Sequence, residues 1–167
     1  MRITMACIVL GACFASRGLA QQPSPTPERI DLETEMEVHD TVVQFLDLLG
    51  GQRFGLLGEL MTEGANVITA RWARSGFVNG VQTREQWLAG LAAAPPRPFR
   101  EVLTSVEIDI ASGELAMVRA DFTIVRDTGV VSRGVDYFTL IRSSSERHWR
   151  LASIAFTSIP EHERAPN

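Results

Sequence analysis

Hydrophobic residues in the second half of the chain alternate with polar ones, whereas those in the first half recur at helical spacing. The alternation predicts four long strands, over residues 102–110, 115–126, 132–142 and 148–157. The links between them are short, so we expect consecutive antiparallel hairpins that form a meander.

A first helix is predicted from near Asp31 to the Gly50-Gly51 pair, because glycine commonly ends helices. A second, shorter helix is predicted over residues 54–61. The apolar stripe of the first helix consists of Val38, Val42, Phe45, Leu46 and Leu49.

Two short strands and a third helix complete the first half. The strands are predicted over residues 66–72 and 77–78, and Thr83 and Gln86 form a capping box that opens a helix through Ala93. Helices followed by a long antiparallel meander are typical of an α+β domain, with the helices packed on one face of the sheet.

The turns between the strands also predict which residues lie opposite one another, and opposite residues share a face. This register collects nearly all the apolar residues of the meander on one face, whereas a slip of one residue would bury several charges. The predicted pairs are Ile110–Ala116, Val106–Ala120, Thr104–Phe122, Phe122–Asp136, Ala120–Phe138, Val118–Leu140, Leu140–Leu151, Phe138–Ser153 and Asp136–Ala155.

Asp136 is the only charged residue on this apolar face. Burial there would raise the pKa of its carboxyl, which is how a carboxyl comes to act as a general acid or base near neutral pH. Asp136 is therefore the first candidate for catalysis. The alternative is an aspartate satisfied by Thr104, a backbone amide or Arg71.

His39 lies at the margin of the first helix's apolar stripe and is the second catalytic candidate, with an exposed surface histidine as the alternative. Arg71 is a candidate for recognising a carboxylate on a ligand. The remaining candidates for a ligand-binding wall are Trp72, Trp87, Thr104, Phe122, Phe138 and Ser153, for which core packing is the alternative.

The other face of the sheet carries both charged and apolar residues, among them Arg119, Tyr137, Ile141, Ile154 and Phe156. A homodimer through this face is one interpretation, and an ordinary amphipathic surface is the other.

Composition narrows the possible partners and cofactors. The 167 residues include 16 basic and 20 acidic ones and no lysine, so Schiff-base chemistry and a P-loop lysine are excluded. A net-acidic chain without a basic run is a poor nucleic-acid binder. Three scattered histidines show no metal-ligand spacing, and no nucleotide or dinucleotide motif occurs. We expect neither a metal nor a cofactor.

The first twenty residues predict a cleaved export signal: Arg2, then an apolar run, then small residues ending at Ala20. The mature protein would be periplasmic or secreted, would not bind a membrane, and would keep 14 of the 16 basic residues against 20 acidic ones, a net charge of −6. Residues 10–13, Leu-Gly-Ala-Cys, also resemble a lipobox, which would make Cys13 the lipidated first residue.

A flexible leader is expected over residues 21–32, a single domain over 33–160 and a tail over 161–167. Four stretches carry a family resemblance: the first helix with Val42, Phe45 and Leu46, Phe77-Val78-Asn79-Gly80 before Thr83 to Trp87, residues 134–142 and residues 148–158. Together they resemble the nuclear transport factor 2-like superfamily and its SnoaL-like (polyketide-cyclase-like) domains.

This resemblance implies a cone-shaped half barrel, with the N-terminal helices packed on the concave face of a curved antiparallel sheet. The superfamily hosts both enzymes and binding proteins, so three functions stay open. They are binding of a small, mostly apolar molecule, a cyclase, isomerase or dehydratase that uses Asp136, and a non-catalytic dimeric interaction module.

Overall fold

A computed structural model describes residues 32–74, 76–142 and 147–163. The predicted export signal, the lipobox at Cys13, all but the last residue of the predicted leader and the last four residues of the predicted tail lie outside these residues.

Three helices precede the four-stranded meander, as predicted, and two strands lie between the second and the third helix. The elements are α1 (Leu32–Gly50), α2 (Phe54–Glu59), β1 (Met61–Ala73), β2 (Gly76–Thr83), α3 (Arg84–Ala93), β3 (Arg100–Ala111), β4 (Leu115–Arg126), β5 (Gly129–Ile141), β6 (Arg150–Pro160) and a 3-10 turn, Glu161–Glu163. The predicted capping box opens α3: the Gln86 amide donates to the Thr83 hydroxyl, and the Gln86 side chain accepts from the Thr83 backbone amide.

The six strands form one open, curved sheet in the order β2-β1-β6-β5-β4-β3. Strands β3 to β6 are the predicted antiparallel meander, and β1 joins its last strand in parallel. The helices pack on the concave face, where Val38, Val42 and Phe45 of α1 meet Phe138 and Leu140 of β5 in the core. The fold is therefore the predicted α+β class.

The register between β4 and β5 differs from the prediction by two residues. Phe122 lies opposite Gly134 and Ala120 opposite Asp136, because the turn is tighter than one centred on Gly129. Side chains alternate with a period of two, so an offset of two leaves the residues of β5 from Ser132 onward on their predicted face. Nearer the turn, Val131 is an extra residue, so Val125 lies opposite Val130.

Two further irregularities, in β3 and β6, change the faces of residues predicted for the site. Thr104 is an extra residue in β3, so Leu103, rather than Thr104, lies opposite Phe122. In β6 the extra residue is Ala152, so Phe138 lies opposite Ile154 instead of Ser153. Each bulge reverses the alternation on one side of it. The predictions that Thr104, Ser153 and Ala155 face the helices, and that Ile154 and Phe156 face outward, are therefore wrong.

Gly134 lies where β5 comes closest to β6 and to a ring from β4. A Cβ atom at this position would clash with the carbonyl oxygen of Thr157 and with the ring of Phe122. The absence of a side chain thus lets Phe122 lie over β5 on the concave face.

We expect Gly134→Ala to lower the free energy of unfolding by about 1–3 kcal/mol, the usual cost of forcing extra volume into a packed site. Urea unfolding followed by tryptophan fluorescence measures this. Gly55→Ala in α2 is the control, because its Cβ would meet no atom within 4 Å and alanine favours a helix. Equal stability of Gly134→Ala and wild type would contradict the close approach.

Candidate functional site

A cavity of about 600 Å³ lies between the helices and the concave face of the sheet. Aromatic side chains form much of its wall. The ring of Phe45 stacks with Trp87 at a centroid distance of 6.1 Å and meets Phe138 edge-on, also at 6.1 Å. Phe99, Phe122 and Phe156 also line the cavity.

Asp136 lines this cavity from the middle of β5, between Ala120 on β4 and Phe156 on β6. It is 4% exposed. Its Oδ2 atom is buried and has no hydrogen-bond partner within the described part of the chain. A buried polar atom is normally hydrogen-bonded, so this oxygen stands out as one that a ligand could satisfy.

A second carboxyl group, that of Glu101, joins Asp136 in the cavity. Glu101 lies at the start of β3, opposite Ile124, on the side of the Thr104 bulge where odd-numbered residues face the helices. The charge of Glu101 and hydrogen bonding with it both raise the pKa of the Asp136 carboxyl, so the two groups are close neighbours. Glu101 Oε1, like Asp136 Oδ2, has no partner among the described residues.

A hydrogen bond between two carboxyl groups requires a proton on one of them, because two carboxylates have only acceptors. Burial raises the pKa of Asp136 to about 10, and the charge of Glu101 and the hydrogen bond with it add to that rise. Burial also raises the pKa of Glu101, which the hydrogen bond with Asp136 partly offsets. Near neutral pH the pair therefore retains a proton, which the raised pKa places on Asp136.

No protein-family model matches the sequence, and no curated protein matches it. Solved structures do match. A cystatin-like fold protein from Burkholderia xenovorans is 18% identical, with a TM-score of 0.60 over 77% of this chain and 94% of that one. A protein of unknown function with a cystatin-like fold from Nostoc punctiforme is 12% identical, with a TM-score of 0.63 over 79% and 96%.

A third structure, described as an NTF2-like protein with a cystatin-like fold from Novosphingobium aromaticivorans, is 15% identical. Its TM-score is 0.58 over 75% of this chain and 82% of that one. The chain has the nuclear transport factor 2-like fold. The resemblance seen in the sequence is thus confirmed at the level of the fold.

Five of the predicted site residues line the cavity of this NTF2-like fold. Asp136, Phe122 and Phe138 do so from the sheet, Trp87 from α3 and Arg71 from β1. The Arg71 guanidinium carbon lies 5.1 Å from the centroid of the Phe156 ring.

The other four predicted residues lie elsewhere. His39 is exposed on α1, with its Nδ1 atom 3.3 Å from Asp40 Oδ1. Trp72 packs edge-on against Phe77 at 5.3 Å. Thr104 is exposed and donates its hydroxyl to the Asp121 carbonyl, and Ser153 donates its hydroxyl to Thr139. The bulges explain why Thr104 and Ser153 lie outside the cavity. His39 lies outside it because it is on the exposed face of α1.

Sequence reasoning did not find Glu101, Ile154 or Phe156, all of which line the cavity. Neither bulged residue is a glycine or proline, so no local signal marks the two reversals. Glu101 directly precedes the predicted first residue of β3. One extra residue in this strand is enough to turn the Glu101 side chain towards the helices.

Within the described residues no group of three or more potential metal ligands occurs. None of the described helices is both long enough and apolar enough to cross a bilayer.

The raised pKa of Asp136 predicts how stability depends on pH. Between the ordinary value of 3.8 and about 10, the folded protein holds a proton at Asp136 that the unfolded chain releases, so stability falls as pH rises. Asp136→Asn removes this dependence. Its free energy of unfolding should therefore rise relative to that of wild type, by up to about 1.4 kcal/mol for each unit by which the pH increases.

Urea unfolding at pH 5, 7 and 9 would measure the difference between the two proteins. Asp109→Asn, an exposed site on β3, is the control and should follow wild type throughout. A gain for Asp136→Asn that is the same at all three pH values would contradict the proton at Asp136.

Proposed function

We propose that the protein, exported as its N-terminal pattern predicts, binds a small, mostly apolar molecule with a hydroxyl or carbonyl oxygen. The buried Oδ2 atom of Asp136, unpartnered among the described residues on the wall of the cavity, carries the proposal. Leaving such an atom unsatisfied costs about 1–3 kcal/mol, which a polar group on a ligand would recover.

The size and lining of the cavity support this function. Ligand sites are clefts of about 300–1,000 Å³ with mostly apolar walls and a few polar groups, and this cavity of about 600 Å³ falls within that range. Trp87 adds an indole Nε1 donor that has no partner in the described part of the chain. An open cavity favours a binding protein over an interaction module with a filled interior.

The acid pair favours catalysis as a second function. A neutral Asp136 beside Glu101 offers a proton donor and a proton acceptor within one apolar site, and pairs whose pKa values are pushed apart commonly serve as acid and base. Cyclase, isomerase and dehydratase reactions all need such transfers. If the protein is an enzyme, Asp136→Asn should abolish the turnover of its substrate and keep the affinity for it. If the variant loses affinity alone, only the binding function remains.

Prodan, a neutral naphthyl ketone whose emission shifts to the blue in apolar surroundings, tests the proposed binding. We expect a saturable blue shift with a Kd on the order of 100 µM or tighter, as expected for a ligand of this size. Ser158 lines the cavity, so the bulkier ring of Ser158→Phe should occupy part of it and weaken prodan binding.

The matched control is Ser153→Phe, because Ser153 lies on the same strand and bonds to Thr139 on the other face of the sheet. This variant should bind prodan like wild type, and circular dichroism would verify that both variants fold. A wild type that leaves the emission unchanged, or Ser158→Phe that binds as well as wild type, would contradict a ligand in the cavity.

A further inference from the structure

Three arginines, Arg71, Arg97 and Arg126, line the cavity together with the acid pair. Arg71 belongs to β1, Arg97 to the segment between α3 and β3, and Arg126 to the last position of β4. Three separate parts of the chain thus bring a guanidinium to one cavity in a protein whose net charge is −4.

The strand pairing places all three arginines at the same end of the sheet. Arg71 lies opposite Ser158 near the ends of β1 and β6, and Arg126 lies opposite Gly129 at the β4–β5 turn. Arg97 precedes β3, whose first residue pairs with the end of β4. We call these three residues the arginine rim.

The arginine rim forms no salt bridge within the described residues, although acidic residues outnumber basic ones in the chain. Arginines elsewhere in the chain form salt bridges with carboxylates: Arg133 lies 2.8 Å from Glu161, and Arg142 lies 2.7 Å from Glu37. At the rim, Arg126 Nε is buried and unpartnered among the described residues. The Arg71 guanidinium rests against the Phe156 ring.

The acid pair does not neutralise the rim. Within the described residues, none of the three rim arginines forms a salt bridge with Asp136 or Glu101, and the influences on the pKa values of these two carboxyls are burial and each other. Along β6, Ser158 opposite Arg71 is two residues, or about 7 Å, from Phe156 opposite Asp136.

We propose that the arginine rim binds a carboxylate, so that the ligand of the cavity is an apolar organic acid with its anionic end at the rim. This inference rests on the proposed function and names its ligand class. Guanidinium groups hold carboxylates through paired, charge-assisted hydrogen bonds, and a carboxylate would supply the acceptors that Arg126 Nε and its neighbours lack. The apolar body of the acid would then lie along the aromatic wall towards Asp136.

Two isosteric probes test the proposal by displacing prodan: 2-naphthoate, which carries a carboxylate, and 2-acetonaphthone, in which a neutral acetyl group replaces it. We expect wild type at low salt to bind the naphthoate about tenfold more tightly than the ketone, the usual gain from a charge-assisted pair. The double variant Arg71→Gln/Arg126→Gln should bring this ratio close to one.

Arg119→Gln is the matched control, because Arg119 lies on β4 like Arg126 but pairs with Asp121 at 2.9 Å outside the cavity. It should keep the wild-type ratio. Raising NaCl from roughly 20 mM to roughly 500 mM should weaken naphthoate binding and leave ketone binding unchanged, which tests the rim in wild type even if the double variant does not fold.

The outcomes separate this proposal from the one it rests on. If prodan does not bind wild type, the cavity is not a ligand site and both proposals fail. If prodan binds but the two probes displace it equally, or the double variant keeps the wild-type ratio, the arginine rim does not select carboxylates and the binding function stands alone.

Discussion

Two carboxyl groups lie inside a cavity that is otherwise lined largely by aromatic and aliphatic side chains, and neither could be buried there alone at low cost. Moving a charged carboxylate out of water is expensive unless it is paired or protonated. Asp136 and Glu101 meet this constraint together, since burial and the neighbouring Glu101 both raise the pKa of Asp136 and keep that carboxyl protonated near neutral pH. The architecture around the cavity follows from placing these two groups in contact.

The contact depends on irregularities in the sheet. The bulge at Thr104 turns Glu101 towards the helices, and Gly134 lets Phe122 lie over β5 without a clash. The second bulge, at Ala152, brings Phe156 opposite Asp136 on the concave face. A perfectly regular sheet would have left Asp136 without its partner and would have given the cavity a different wall.

The sequence predicted the regular part of this structure well. The four-stranded meander, the helices on one face and the inward position of Asp136 all followed from periodicity, because a period of two ties each residue of a strand to its neighbours. Thr104 and Ser153 were misplaced because a bulge adds a single residue that no glycine or proline announces. His39 was chosen for chemistry although it lies at the exposed edge of α1.

The polar groups of the cavity lie in two places, separated by an aromatic wall. This distribution suits an apolar molecule with one anionic end. The acid pair lies inside, aromatic rings form the wall, and arginines line one end. Such an arrangement orients a ligand by its charge at one end and by hydrogen bonding at the other. The arrangement is also compatible with catalysis, because acid catalysis and tight recognition both require a proton held near a bound oxygen atom.

The protonation of Asp136 is measured most directly by ¹³C NMR of the side-chain carboxyl groups during a pH titration, with Asp136→Asn used to assign the signal. The proton at Asp136 predicts one aspartate resonance, missing from that variant, that keeps the chemical shift of a neutral acid through pH 7 and titrates only near the pKa of about 10. If every aspartate resonance has the shift of a carboxylate at pH 7, the buried acid pair does not hold a proton and the account of the site is wrong.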